Sequence, residues 1–296
     1  MMGFQLSNEF LVIDIAAVGD YKGTRFDWSG FITGVTMREG NHTFCVPESL
    51  QVGEGTGGKG LCNEFSIREA IGYEDTPVGG QFPKLGVGLL TRPDIQPYQF
   101  YRSYSLQPYR IEAEMKSEQN IIFTTYPDNC AGYATRLEKS ISITGNQLWI
   151  DYQLTNTGLR EIRTDEYNHN FLGIDRQPIG PDYKLRFPFE IQPWSDEPGT
   201  MDGVVIEGGD VTWKRTPDKP FYFLLDGFPS SSSTWIWELL HQPSGASVRE
   251  ISSFRVSAVA VWGTGHVVSP EIFVRIELAP GQSQNWSRVY EFYRGS

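Results

Sequence analysis

A glutamate and a histidine can together form a proton-transfer pair, and two such side chains in this sequence lie on segments whose residues alternate between two faces. They are Glu271, near the C-terminus, and His169, in the middle of the chain. Unperturbed glutamate and histidine titrate near ~4.3 and ~6.5, so we expect the carboxylate to be ionised and the imidazole to donate a proton near neutrality after a modest shift. Each group, if held against a reacting atom, could contribute roughly 10²–10⁴-fold to a rate.

Apolar residues alternate along the segment that carries Glu271. One face of this strand is formed by Ile272, Val274, Ile276 and Leu278. The other face therefore carries Glu271, Phe273, Arg275 and Glu277. A polar face with one aromatic residue suits a binding groove. The alternative is an ordinary solvent-facing surface, because Glu and Arg are mostly exposed in proteins.

His169 lies in a second alternating segment. Tyr167 and Phe171 share its face, and Asn168 and Asn170 take the other face. The alternative to a catalytic histidine is a partly buried one whose hydrogen bonds are satisfied within the fold.

The elements that must position these residues are predicted to be β-strands. Period-two alternation recurs along the chain, and 31 glycines, 18 prolines and 40 aromatic residues are typical of many short strands joined by turns. The clearest hairpin is Ser140–Leu154, with its turn at Gly145-Asn146. A short connecting helix is predicted over Asn63–Ala70. The sequence thus predicts an all-β, two-layer architecture, organised as a single domain over residues 1–296.

Composition excludes several classes of function. The chain has 36 acidic and 25 basic residues in 296, a net charge of −11, and its basic residues are scattered, which argues against nucleic-acid binding. No apolar run approaches the roughly 20 residues that span a membrane. Cys45, Cys62 and Cys130 form neither a CxxC pair nor an even set, so we expect no disulfide framework, no zinc site and a cytoplasmic location.

Several motifs, read in order, resemble the aldose 1-epimerase (galactose mutarotase-like) family over nearly the whole chain. They are Arg25–Gly30 (RFDWSG), Gly60–Phe65 (GLCNEF), Phe82–Gly86 (FPKLG), Tyr167–Phe171 (YNHNF), and Pro270-Glu271 before Pro280-Gly281. The most specific is Asn168–Phe171, which is similar to the family's Asn-His-x-aromatic segment with its catalytic histidine. Glu271 matches the glutamate of the family's general-base strand.

The resemblance implies a large β-sandwich with a concave sugar-binding face. It also implies an enzyme that interconverts the α and β anomers of a free monosaccharide or small sugar derivative, with no metal and no cofactor. Glu271 and His169 would remove the proton of the anomeric hydroxyl and protonate the ring oxygen. Further candidates for sugar contacts are Arg25, Asn63, Glu64, Lys84, Tyr167 and His266. Glu64 could instead start a helix, and Arg25 could pair with Asp27 or another carboxylate.

One departure from the family keeps alternatives open. Family members usually carry another histidine, followed by glycine, in the segment that matches Phe82–Gly86, and here Lys84 is the nearest polar replacement. A non-catalytic carbohydrate-binding or sensing protein of the same fold is therefore one alternative. A lyase or isomerase acting on an acidic sugar is another, in which Lys84 and Arg25 would meet a carboxylate. The oligomeric state is not predicted.

Overall fold

A computed structural model describes residues 3–67, 70–126, 128–195, 200–228 and 235–295. These residues are mostly β-strand, with single 3₁₀ turns at Glu39–Asn41 and Ile174–Arg176. None of the helices in these ranges is long and apolar enough to cross a membrane.

The strands are numbered in chain order. The first eight are β1 (Phe4–Ser7), β2 (Leu11–Ile15), β3 (Ile32–Met37), β4 (His42–Thr43), β5 (Gly60–Phe65), β6 (Gln81–Lys84), β7 (Gly88–Thr91) and β8 (Leu106–Pro108). The next eight are β9 (Arg110–Ser117), β10 (Asn120–Tyr126), β11 (Thr135–Thr144), β12 (Gln147–Asn156), β13 (Ile162–Phe171), β14 (Tyr183–Arg186), β15 (Gln192–Trp194) and β16 (Val204–Glu207). The last seven are β17 (Asp210–Trp213), β18 (Phe221–Asp226), β19 (Trp237–His241), β20 (Ala246–Ser252), β21 (Val256–Thr264), β22 (Val267–Leu278) and β23 (Ser283–Arg294).

The strands form two large sheets and one small one. The first large sheet has the order β1-β2-β3-β5-β13-β22-β21-β18-β15, with β4 paired to β3, and the second has the order β16-β17-β14-β19-β20-β23-β12-β11-β10-β9. Strands β6, β7 and β8 form the small sheet. One apolar core joins the inner faces of the large sheets, for example Val35 and Ile272 of the first with Ile141 and Phe292 of the second. The predicted all-β, two-layer fold is confirmed.

The predicted hairpin is also confirmed. Strands β11 and β12 pair antiparallel from Thr135↔Asn156 to Thr144↔Gln147. Gly145 has a φ of 57°, a backbone conformation that glycine adopts without the steric cost of a Cβ atom.

The predicted helix over Asn63–Ala70 is wrong in its first part, and Arg68 and Glu69 lie outside the described residues. Asn63 and Glu64 belong to β5, where they pair with Asn168 and Tyr167 of β13. Every residue of β5 is buried. A strand covered on both faces shows no polar–apolar alternation, so this segment lacks the period-two pattern that predicts a strand.

The strands that carry the candidate pair are neighbours in the middle of the first sheet. On β13, Asn168 and Asn170 point into the core, where both hydrogen-bond to the hydroxyl of Tyr290. Tyr167 and His169 therefore lie on the opposite face, as the alternation predicts. Tyr167 of β13 pairs directly with Phe273 of β22. The strands are antiparallel. His169, two residues after Tyr167, and Glu271, two residues before Phe273, therefore occupy adjacent positions on the outer face.

Candidate active site

The structure brings the two candidate catalytic side chains into contact. His169 Nε2 lies 3.2 Å from Glu271 Oε1, and each side chain is only 5% exposed. The hydroxyl of Ser269 lies 3.4 Å from the same carboxylate oxygen. No Lys or Arg among the residues described forms an ion pair with Glu271, so this carboxylate is buried without a directly bonded cation.

Aromatic rings fix the position of the His169 imidazole. Phe171 stacks on it with a centroid distance of 4.0 Å and an interplanar angle of 9°. Trp262 and Phe26 approach it at steep angles, at 5.2 Å and 6.0 Å. The buried Nδ1 atom has no hydrogen-bond partner among the described residues. His169 is therefore held by packing and by one polar contact, to Glu271, rather than by a complete set of hydrogen bonds.

The surroundings change the expected protonation states. Burial raises the pKa of Glu271 to about 8, a shift that Glu64 reinforces and Arg25 opposes. Burial, and then the positive charge of Arg25, hold the pKa of His169 well below its usual range. The expectation of an ionised glutamate beside a histidine ready to donate is therefore wrong for this structure. Near pH 7 the carboxyl is mostly protonated and the imidazole is neutral, so the pair holds one proton.

Arg25 lies beside this pair in a buried ionic network. Its Nε donates to Glu64 Oε2 at 2.8 Å, and its Nη2 donates to the hydroxyl of Tyr167 at 3.0 Å. Tyr167 in turn donates to the same Glu64 oxygen at 2.8 Å. Arg25 Nη1 donates to Thr56 Oγ1 at 3.1 Å and lies 3.6 Å from Glu48. All three guanidinium nitrogens are thus engaged, and the carboxylate partners are Glu64 and Glu48 rather than Asp27.

Lys84 belongs to the same network and does not reach the surface. Its ammonium donates to Glu64 Oε1 at 3.1 Å, to the Phe65 carbonyl at 2.5 Å and to the hydroxyl of Tyr98 at 3.1 Å. The residue is 0% exposed. The structure therefore places Lys84 beneath the site, as a support for Glu64 and Tyr98, and does not place it where a replacement for the family's other histidine would contact a sugar.

Two further candidates lie away from the pair. Asn63 is buried and accepts a hydrogen bond from Lys139, on the core side of β5. His266 Nε2 contacts the Pro47 carbonyl at 3.0 Å, and the residue lines a different cavity together with Cys45 and Arg176. Of the eight candidates, the structure brings together Glu271, His169, Arg25 and Tyr167 at an opening, with Glu64 and Lys84 below them.

Two adjoining cavities open over the pair. The larger, about 620 Å³, includes Glu271, Tyr167 and Phe273 in its lining. The smaller, about 330 Å³, includes His169, Glu48 and Thr56. Four residues line both cavities: Arg25, Phe100, Tyr101 and Trp262. The contact between Glu271 and His169 therefore lies where the two cavities meet.

Sequence reasoning missed the residues that form the walls. Phe100 and Tyr101 come from the loop between β7 and β8, whereas Trp262 and Tyr222 come from β21 and β18. The cluster of aromatic residues at Tyr98–Tyr101 was a visible signal in the sequence. Nothing in the sequence, however, indicated that this loop would cross to β22.

No group of three or more His, Cys, Asp or Glu side chains that could hold a metal ion occurs in the described parts of the chain. Where the two cavities meet, the carboxyl of Glu271 and the imidazole of His169 contact each other. Together they have the composition of an acid–base pair.

Comparisons with known proteins give a fold and no sequence relative. A scan against protein-family models finds no match, and a search of curated proteins finds none either. Solved structures do match. A Synechocystis protein superimposes with a TM-score of 0.64 at 11% identity, covering 99% of this chain and 96% of the other.

Two further matches carry names of the predicted family. An Escherichia coli K12 protein described as a putative aldose 1-epimerase has a TM-score of 0.62 at 13% identity, with 99% of both chains covered. A galactose mutarotase-like protein from Lactobacillus casei has a TM-score of 0.58 at 14% identity, covering 98% of this chain and 100% of the other. The chain therefore has the galactose mutarotase-like fold, and the resemblance read from its motifs is confirmed at the level of fold.

Proposed function

We propose that this protein is an aldose 1-epimerase that interconverts the α and β anomers of a neutral free sugar. The observation that carries the proposal is the 3.2 Å contact between Glu271 and His169 at the junction of two cavities. Anomerisation exchanges protons at the ring oxygen and the anomeric hydroxyl, which are bonded to the same carbon. An acid and a base that serve these two oxygens must therefore lie close together, as this pair does.

The protonation states suggest how the roles are divided. The protonated Glu271 carboxyl donates to the ring oxygen while the neutral His169 Nε2 accepts the proton of the anomeric hydroxyl. The C1–O5 bond breaks, and the aldehyde forms. After rotation about C1–C2, the ring oxygen attacks the other face of the carbonyl. The two residues then exchange roles, which restores the original pair without any net gain or loss of protons.

Arg25 has an electrostatic role in this proposal. Its positive charge opposes the rise in the pKa of Glu271 and lowers the pKa of His169. The first effect favours proton donation by Glu271, because a carboxyl with a still higher pKa would donate less readily, and the second keeps the His169 imidazole neutral and therefore free to accept a proton. Glu64 and Tyr167 hold the guanidinium in place through hydrogen bonds of 2.8 Å and 3.0 Å.

The alternative of an acidic-sugar lyase loses support from the same geometry. Its two cations were Lys84 and Arg25. Lys84 is fully buried and lines neither cavity, and the guanidinium of Arg25 already has carboxylate partners. The non-catalytic alternative differs from the enzyme in one measurable respect, since it would bind sugar without accelerating anomerisation.

Anomer equilibration of neutral aldoses, followed by polarimetry or exchange NMR, tests the proposal. The wild type should accelerate equilibration of at least one aldose. Glu271→Gln should lower that rate roughly 10²–10⁴-fold, because the amide keeps the shape of the side chain but cannot transfer a proton. Glu277→Gln is the matched control, since Glu277 lies on the same strand and is exposed in an ion pair with Arg275. Sugar binding without acceleration by the wild type would instead support the binding protein.

A further inference from the structure

The space over the pair is larger than one sugar ring needs. A water molecule takes about 30 Å³ of liquid volume, and on this scale a hexose occupies on the order of 200 Å³. The larger cavity alone measures about 620 Å³, and the smaller adds about 330 Å³ on the His169 side. A monosaccharide at Glu271 would leave most of this space to water.

The extra space runs across the sheet in a defined direction. Glu271 lies on β22, Trp262 on the neighbouring β21 and Tyr222 on β18, the next strand. Tyr222 and Trp262 are directly paired residues, so their side chains lie side by side on one face. Two strand spacings correspond to about 10 Å. The larger cavity therefore extends from the carboxyl over an aromatic floor that is long enough for two linked pyranose rings.

Other aromatic residues form a second wall. Phe100 and Tyr101 line the same cavity from the loop before β8, and Tyr101 is 61% exposed. Apolar ring faces beside hydroxyl groups match the surface of a pyranose, which has C–H patches on its faces and hydroxyls at its rim. Thr200 and Pro220 line the cavity as well.

The charged residues that line the two cavities favour a neutral ligand over an anionic one. Within the described ranges, Arg25 is the one basic residue that lines either of the two cavities. Its guanidinium nitrogens already bond to Glu64, Thr56 and Tyr167. An anionic sugar would therefore have to compete with Glu64 for this cation in a site that also contains Glu48 and Glu271.

We infer that the substrate is a neutral reducing disaccharide, or the reducing end of a longer neutral saccharide. Its reducing ring lies against Glu271 and His169, and its second ring lies between Tyr222 and Tyr101. This inference rests on the proposed anomerisation for the orientation of the saccharide, but the second-ring site itself is a binding site that can be measured without any reaction.

The test compares each disaccharide with its own monosaccharide. The panel is glucose with maltose and cellobiose, galactose with β-1,4-galactobiose, and mannose with β-1,4-mannobiose. In the wild type, kcat/KM for anomerisation of the best disaccharide should exceed that of its monosaccharide at least tenfold. Tyr222→Ala and Tyr101→Ala should each lower this ratio several-fold. Tyr126→Ala, an exposed tyrosine on the other large sheet, is the control and should leave the ratio unchanged.

Calorimetric binding to Glu271→Gln separates this inference from the proposed function. If no sugar is anomerised but a disaccharide binds at least tenfold more tightly than its monosaccharide, and Tyr222→Ala or Tyr101→Ala removes the difference, the proposed reaction fails and the second-ring site stands. Equal binding of disaccharide and monosaccharide, or no binding of any sugar in the panel, overturns the inference. Because Tyr101 is exposed, its variant serves if Tyr222→Ala does not fold.

Discussion

Two groups of buried carboxyls in this protein differ in how they are neutralised. Between the sheets, Arg288 is 0% exposed and donates to Glu250 at 2.7 Å and to Glu166 at 2.8 Å. Glu250 also accepts from the indole of Trp237 at 2.6 Å. At the outer face of the first sheet, the polar contacts of the Glu271 carboxyl with described residues are those to His169 and, more weakly, to Ser269.

The difference shows which buried charge is structural and which is available for chemistry. Glu166 and Glu250 share the guanidinium of Arg288 and line neither of the two cavities at the site. Burial raises the pKa of Glu166 as well as that of Glu271, but Glu271 has no bonded cation among the described residues and opens onto a cavity. Burial, which is common to both places, does not separate them; the presence of a bonded cation and of an opening does.

The largest effect on stability is expected at the buried group of Arg288, Glu166 and Glu250. Arg288→Met should lower the free energy of unfolding by about 3–5 kcal/mol, because it leaves Glu166 and Glu250 buried without a cation. Urea denaturation measures this loss. A loss below about 1 kcal/mol would contradict the view that Arg288 neutralises both carboxylates.

The next effect is a gain in stability at the site. The pKa of Glu271 rises from 4.5 to about 8 on folding, so its contribution to stability is complete below pH 4.5 and is lost as the pH rises through about 8. Glu271→Gln removes this titration. The variant should therefore be about 2–4 kcal/mol more stable than the wild type at pH 8.5, and this advantage should shrink towards pH 5.

Urea denaturation of both proteins at several pH values checks this result. Glu277→Gln provides the control, since its exposed carboxylate should show no such dependence. A difference between Glu271→Gln and the wild type that does not change with pH would mean that Glu271 is not buried as a protonated acid.

A change at Lys84 should have a smaller effect on stability than the two changes above. Lys84 lines neither cavity and supports the site through Glu64 and Tyr98. Lys84→Met should cost about 1–3 kcal/mol of stability, since Glu64 loses one donor but keeps Arg25 and Tyr167. Because Tyr98 also loses its partner, we expect a rise in KM that exceeds the change in kcat. Thermal denaturation and steady-state kinetics measure the two effects. An unchanged KM would show that Lys84 does not position the wall formed by the Tyr98–Tyr101 loop.

The smallest effect is expected at the exposed end of β22. Glu277 pairs with Arg275 at 3.2 Å on the surface, where solvent screens the interaction. Glu277→Gln should change the free energy of unfolding by less than about 0.5 kcal/mol. Chemical denaturation at two salt concentrations should give the same result. A larger loss would mean that the polar face of β22 is not divided into a buried and an exposed half.

Alternation in the sequence was sufficient to predict which side of the strand carries Glu271, but not which residues on that side are covered. Glu271 and Phe273 are buried, whereas Arg275 and Glu277 on the same face are exposed. What covers the first pair comes from distant segments, including the loop that carries Phe100 and Tyr101. Contacts of this kind depend on the chain path and leave no periodic signal.

The candidate site residues also fall into those that sequence patterns predict and those whose position depends on distant segments. The meeting of Glu271 and His169 at one place could be predicted because a motif and an alternating face agreed, and their catalytic role stays a prediction. The role of Lys84 could not, because its partners Glu64 and Tyr98 come from a different strand and a loop. The pKa shifts were also beyond the sequence, since the burial that causes them belongs to the assembled sheet. The single-domain organisation over residues 1–296 stays a prediction.

The pH dependence of kcat/KM for enzyme-catalysed anomerisation, corrected for the uncatalysed rate, tests the shared proton of Glu271 and His169 most directly. The account predicts a plateau around neutral pH and a fall as the pH rises through about 8, where Glu271 loses its proton while His169 is already neutral. The fall at low pH should come well below the usual range of histidine. A catalysed rate that keeps rising through pH 8, or a profile that Glu271→Gln leaves unchanged, would contradict it.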